Sequence, residues 1–301
     1  MNAVRIASLL PAATEIAAAL GLVDELVAVT FECDYPAGIR ERLPVVVDTA
    51  LPAGLTPGEI DAVVRDRVAR GLPMYSVDAA ELGRLAPDLI LTQDLCRVCA
   101  LPAGTVEDAL AVIGSDSYVL SIDPHTVDDM LVAVEEVGRR GGAPDRASAL
   151  VADLRSRLAA VGSAVADRPR PRVLVLEWTD PPFLAGHWVP ELVRRAGGEP
   201  VAGVEGGRSV TATWEELTAL ALDPGIDTVL VAPCGYDLAA AVEQSAVVRE
   251  RLPGVPVVAI DSAAYVVRAG PRLVDGIEAL AWALHPDAVQ APPAGRVRRL
   301  G

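Results

Sequence analysis

The 301-residue chain has none of the short motifs that announce most enzymes. It has no Gly-x-Ser-x-Gly elbow for a serine nucleophile, no Walker A phosphate loop and no His-Glu-x-x-His zinc helix. Its glycines are scattered at turns and helix ends rather than gathered into a phosphate cradle. Basic residues are outnumbered, 26 Lys and Arg against 41 Asp and Glu, for a net charge of −15. Nothing offers a basic stripe for phosphates, which excludes nucleic acid and an anionic membrane surface as partners. No run of about 18 apolar residues is present, so no membrane insertion is expected. The opening Met-Asn-Ala-Val-Arg-Ile lacks the basic and long apolar regions of a signal peptide, and the chain is expected to be cytoplasmic. Thiols are reduced there, so four cysteines favour metal or redox work over structural disulfides.

What is present is an ordinary globular composition, 51% apolar and 22% charged, at a length that suggests roughly two domains. Short apolar runs at 4–10, 26–30, 45–47, 88–91 and 118–122 read as strands. Helical patterns at 11–20, 56–70, 78–85 and 105–113 lie between them. Thr56-Pro57-Gly58-Glu59 carries a capping-box signature. Residues 126–139 form an amphipathic pattern broken by Gly141-Gly142, and Pro144 opens a long stripe through Leu150, Leu154, Leu158 and Val161. The alternation resumes with strands at 173–177, 227–232 and 255–260 and helices at 190–196, 214–222, 238–249 and 271–284. The expected fold is α/β: two Rossmann-like lobes with mainly parallel sheets, residues 4–123 and 169–287. Connecting helices at 124–168, including one long rigid helix, would join them, and 288–301 would be a frayed tail.

The chemistry-bearing residues fall at strand ends. Phe31 and Cys33 follow the second strand, and Cys96 and Cys99 follow the strand at 88–91 as a Cys-x-x-Cys. In the second half, Glu177 and Trp178 end one strand, with His187 and Trp188 in the next loop. Cys234 and Tyr236 follow another strand, and Tyr265 and Arg268 a third. Carboxyl ends of parallel strands are where α/β sheets bind ligands, so these loops are expected to face one cleft between the lobes. Trp178, Trp188 and Tyr236 would make an apolar wall for a flat ligand. His187 would be a metal ligand or a base to a cofactor, and Arg268 would pair with a carboxylate or phosphate. Two readings of the cysteines stay open. Four sulfurs could hold zinc or an iron–sulfur cluster, with Cys234 facing Cys96 and Cys99. Alternatively, Cys33 and Cys234 are small buried hydrophobes and the Cys-x-x-Cys is incidental.

Ser8-Leu9-Leu10-Pro11-Ala12-Ala13-Thr14-Glu15, Pro87-Asp88-Leu89-Ile90-Leu91, the Gly break before the long helix, and Arg268-Ala269-Gly270-Pro271-Arg272-Leu273 together resemble a known family. It is that of the class III solute-binding proteins for cobalamin and ferric siderophores, and the likeness spans about residues 4–286. The resemblance implies two lobes on one rigid helix, little hinge closure, and a metal-chelate ligand such as a corrinoid held between them. It implies a binding protein rather than an enzyme, with an ABC permease as partner. The cysteine set and the chain's beginning look like a cytosolic subgroup of that family.

Overall fold

The computed structural model describes residues 3–94, 103–113 and 116–300. The chain divides into two compact units. One comprises Met1–Pro124 with Asp128–Ala152, the other His125–Val127 with Asp153–Gly301.

In the first unit the order is β1 (Ile6–Ser8), α1 (Pro11–Ala19), β2 (Leu26–Thr30), α2 (Ile39–Arg42), β3 (Val45–Thr49) and α3 (Pro57–Ala69). It continues with β4 (Tyr75–Val77), α4 (Ala79–Leu85), β5 (Leu89–Thr92), α5 (Ala103–Ile113) and β6 (Tyr118–Ser121). The strands form a six-stranded sheet in the order β4-β3-β2-β1-β5-β6, parallel throughout except for the antiparallel edge pair β3–β4. The central strands are buried on both faces, which is why they read as unbroken apolar runs: all four residues of Leu89–Thr92 are buried. Ala7, Leu9, Val46, Leu82, Ile90 and Val106 meet in its core. The Thr56–Glu59 capping box forms with both reciprocal bonds.

Helices α6 (Val127–Arg140) and α7 (Pro144–Val165) follow. They pack so closely that a Cβ on Gly138 would lie 2.3 Å from that of Ala147. Gly142, at φ +79°, supplies the left-handed turn between them. Helix α7 starts with the first unit and ends with the second.

The second unit contains β7 (Arg172–Thr179), β8 (Pro182–Leu184), α8 (Val189–Arg195), β9 (Glu199–Pro200), β10 (Val210–Thr211) and α9 (Trp214–Leu220). After one wider π turn at Ala221–Gly225 come β11 (Thr228–Val231), α10 (Leu238–Arg251), β12 (Val257–Ile260), α11 (Ser262–Tyr265), α12 (Arg272–Leu284) and β13 (Val297–Leu300). The sheet order is β10-β8-β7-β11-β12-β13, with β9 pairing parallel to the start of β7. The core strands β7, β11 and β12 run parallel, and the flanking strands β8, β10 and β13 are antiparallel to their neighbours. Leu174, Leu176, Leu217, Val229, Val248 and Val257 form its core.

The two sheets are started by the same device. In the first, the Arg5 N–H donates to Asp88 Oδ2 (2.8 Å) and its guanidinium to the Leu85 carbonyl that ends α4. In the second, the Arg172 N–H donates to Asp227 Oδ2 (2.7 Å) and its guanidinium to the Gly225 carbonyl. An Arg at the head of one strand thus fixes the register of its neighbour and satisfies the carbonyls left at a helix end.

One expectation is corrected. Residues 288–301 read as a frayed tail because Pro, Gly and Arg dominate them. Val297–Leu300 instead pairs antiparallel with β12 across four residues. Backbone ladder bonds, supported by Arg296, whose carbonyl accepts from the Asp261 N–H (2.9 Å), hold a segment that composition alone leaves unstructured.

Candidate functional site

In the first unit, Cys33 lies against Thr14 in α1. Ser8 and Thr14 are fully buried. Thr14 Oγ1 donates to Ser8 Oγ (2.8 Å) and lies 3.0 Å from Cys33 Sγ, while Ser8 donates to the Leu10 carbonyl (3.1 Å). Cys33 is therefore a core residue at 1% exposure, in a small polar relay with Thr14 and Thr30. Phe31, half-buried, has its ring 6.3 Å from that of Tyr75. Cys96 and Cys99 lie outside the described residues. Among the described residues no group of three or more His, Cys, Asp or Glu side chains is arranged to hold a metal ion.

The second unit places Trp178 at the end of β7, Cys234 and Tyr236 after β11, and Tyr265 and Arg268 after β12, strands that are adjacent in the sheet, while His187 and Trp188 follow β8, antiparallel to β7. Trp178 and Tyr236, both half-buried, meet edge to face with ring centroids 6.1 Å apart. The Cys234 N–H donates to the Glu177 carbonyl (3.0 Å), which ties the β11 loop to the end of β7. Burial, then the neighbouring Cys234, pushes the Tyr236 hydroxyl above its usual value.

Trp188 is only 6% exposed, and its indole N–H donates to the Val266 carbonyl (2.8 Å). Its ring belongs to the framework, where it joins the 185–188 loop to the segment carrying Tyr265 and Arg268. Tyr265, half-buried on α11, has the guanidinium groups of Arg272 and Arg296 over its ring at 4.9 and 5.2 Å. Arg268, half-buried, lies close enough to favour the charge on Asp261. Burial nonetheless raises the Asp261 carboxyl, against the helix-capping bond that it accepts from Ala264 (3.0 Å).

His187 occupies the most constrained position. Its backbone is left-handed at φ +53°, unusual for a residue with a side chain, at a cost of about 1 kcal/mol or more. Its N–H donates to Gly207 O (2.6 Å), and its carbonyl accepts from the Gly206 N–H (2.8 Å). Its Nδ1 is buried without a hydrogen-bond partner in the protein. Burial first, then His125 and Arg208, hold the imidazole below the ordinary histidine value.

Sequence reasoning gave no role to the group beneath this loop. Glu177 is 9% exposed; one carboxylate oxygen accepts from Ser209 Oγ and the other from the Gly186 N–H (3.3 Å). A signal was available: Glu177 interrupts the apolar run of β7 where the strand is still buried. A buried carboxylate needs such donors.

The fold is that of an α/β protein with two mainly parallel sheets, and the half-buried Trp178–Tyr236 pair lies at strand ends of the second. The family described as periplasmic binding protein matches residues 6–234, and the chain belongs to it. Among solved structures, a periplasmic heme-binding protein from Pseudomonas aeruginosa is 22% identical with a TM-score of 0.73, covering 99% of this chain and 98% of that one. The periplasmic vitamin B12 binding protein BtuF of Vibrio cholerae is 21% identical with a TM-score of 0.66, covering 94% and 96%. An ABC transporter substrate-binding protein from Listeria monocytogenes EGD-e is 17% identical with a TM-score of 0.69, covering 95% and 100%. These likenesses concern the fold. No curated protein matches the chain. Among the described residues no helix is long and apolar enough to cross a membrane.

Proposed function

We propose that this chain is a non-catalytic substrate-binding protein whose ligand is a flat metal chelate of the corrinoid or heme kind, handed on to an ABC permease. The observation that carries this reading is the Trp178–Tyr236 pair, half-buried at the carboxyl ends of β7 and β11. An edge-to-face aromatic pair at that place offers an apolar wall with a polar hydroxyl at its rim, suited to a macrocycle. His187, after β8, and Arg268, after α11, would supply a nitrogen donor and a cation. Family membership and the heme- and vitamin B12-binding neighbours support the ligand class.

Titration with hemin and with cyanocobalamin, read by quenching of tryptophan fluorescence and by the visible spectrum, tests it. Saturable binding of one is expected. Trp178→Ala is expected to weaken it by about fivefold, from roughly 1 kcal/mol of lost ring contact. Absence of saturable quenching with both ligands would overturn the proposal.

A further inference from the structure

Glu177 is joined to two loops at once. Gly186 belongs to the loop between β8 and α8, and Ser209 to the loop before β10. Above the carboxylate the same loops are laced by backbone bonds: His187 N–H to Gly207 O, Gly206 N–H to His187 O (2.8 Å) and Val204 N–H to Ala185 O (2.9 Å). The fit leaves no slack. A Cβ on Gly186 would lie 2.4 Å from the Ser209 nitrogen, and one on Gly203 would lie 2.4 Å from the Ala185 carbonyl oxygen. His187 sits at the centre of this lacing, in a backbone conformation that its own side chain disfavours.

A strained residue persists only where its surroundings over-determine it. The backbone bonds close the loops on one another, the β7–β8–β10 ladder holds their flanks, and Glu177, a side chain of β7, bonds both loops directly beside His187. We infer that Glu177 is a positioning residue: through Gly186 and Ser209 it holds His187 in its left-handed conformation and so fixes where the imidazole stands. Any effect on ligand rests on the function proposed above; the control of His187 by Glu177 does not.

The experiment uses the full chain and has two readouts. The first needs no ligand. The chain has three histidines, so a His187→Gln variant identifies the His187 ring in a nitrogen-15 spectrum. In Glu177→Gln the neutral amide can no longer accept from both loops, and the His187 titration midpoint is expected to climb towards the ordinary histidine value. Ser209→Ala, a milder change that serves if Glu177→Gln does not fold, should move it the same way by less. An unchanged His187 titration in the folded variants overturns the inference, since a merely structural glutamate would alter melting and leave that ring alone.

The second readout is hemin affinity. Glu177→Gln is expected to weaken it about tenfold, and to add nothing in a His187→Gln background, because the effect passes through His187. Full additivity of the two changes would overturn the inference. Failure of hemin and cyanocobalamin to bind the unaltered protein would sink the proposed function instead, leaving the first readout to decide the role of Glu177.

Discussion

Gly186 offers the sharpest test of how the site loop is built. Replacing it with Ala places a methyl carbon 2.4 Å from the Ser209 nitrogen, 2.6 Å from the Arg208 carbonyl carbon and 2.7 Å from the Gly207 oxygen. All three are backbone atoms, so no side chain can swing aside. Ordinary contact begins at 3.4 Å, so the two loops must part by about 1 Å. That opening falls on three hydrogen bonds: Gly186 N–H to Glu177 (3.3 Å), His187 N–H to Gly207 O and Gly206 N–H to His187 O. Each is worth about 1 kcal/mol net, and overpacking adds about 1 kcal/mol more, giving roughly 4 kcal/mol of destabilisation if all three are lost. The assay is selective by composition. All four tryptophans, Trp178, Trp188, Trp214 and Trp282, lie in the second unit, so their fluorescence in a urea titration reports that unit alone. Gly162→Ala is the control: an exposed position inside α7, where an added Cβ meets nothing within 4 Å, is expected to gain about 0.5–1 kcal/mol. A Gly186→Ala fluorescence midpoint equal to that of the unaltered protein would refute the account of the loop.

Two further outcomes follow from the charges. The folded-state value of His187 is depressed below its unfolded value of 6.5, so the unfolded chain binds the proton more readily. Stability is therefore full above that value and falls as pH drops through it towards the lower folded value; a pH series of urea midpoints should show this fall, flattened in His187→Gln. Arg157 on α7 bonds both oxygens of Glu278 and also Asp275, and these two carboxylates hold its guanidinium more firmly protonated. Because the group is about a third exposed, Arg157→Ala should cost about 1–2 kcal/mol in fluorescence-monitored unfolding, with the loss shrinking at high salt.

Much of the architecture was legible because parallel strands are covered on both faces and so write themselves as apolar runs. Residues 88–91 and 255–260 are examples, and Thr56 to Glu59 announced a helix by the chemistry of its first turn. The strands that escaped notice are short or edge strands. β8, β9 and β10 have two or three residues each, too few to show a period, and their pairing depends on partners far along the chain. At the site, the aromatic residues at strand ends could be read directly. The separate task of Trp188 could not: its neighbour Trp178 has the same side chain, and only the bond to Val266 distinguishes the framework ring from the wall. Glu177 could be placed at the end of its strand but given no task, because nothing in its neighbours names its partners. Its meaning lies in donors 9 and 32 residues away.

The last strand has a consequence for synthesis. β13 closes the β12 edge with residues that leave the ribosome long after β12 itself has been made. Until they arrive, β12 offers a row of unpaired backbone groups, buried-type in composition and open to any other strand. The first unit, by contrast, has all its residues by position 152. A translating ribosome would therefore carry one finished unit and one with a sticky edge, and the final four-residue strand is what retires that hazard.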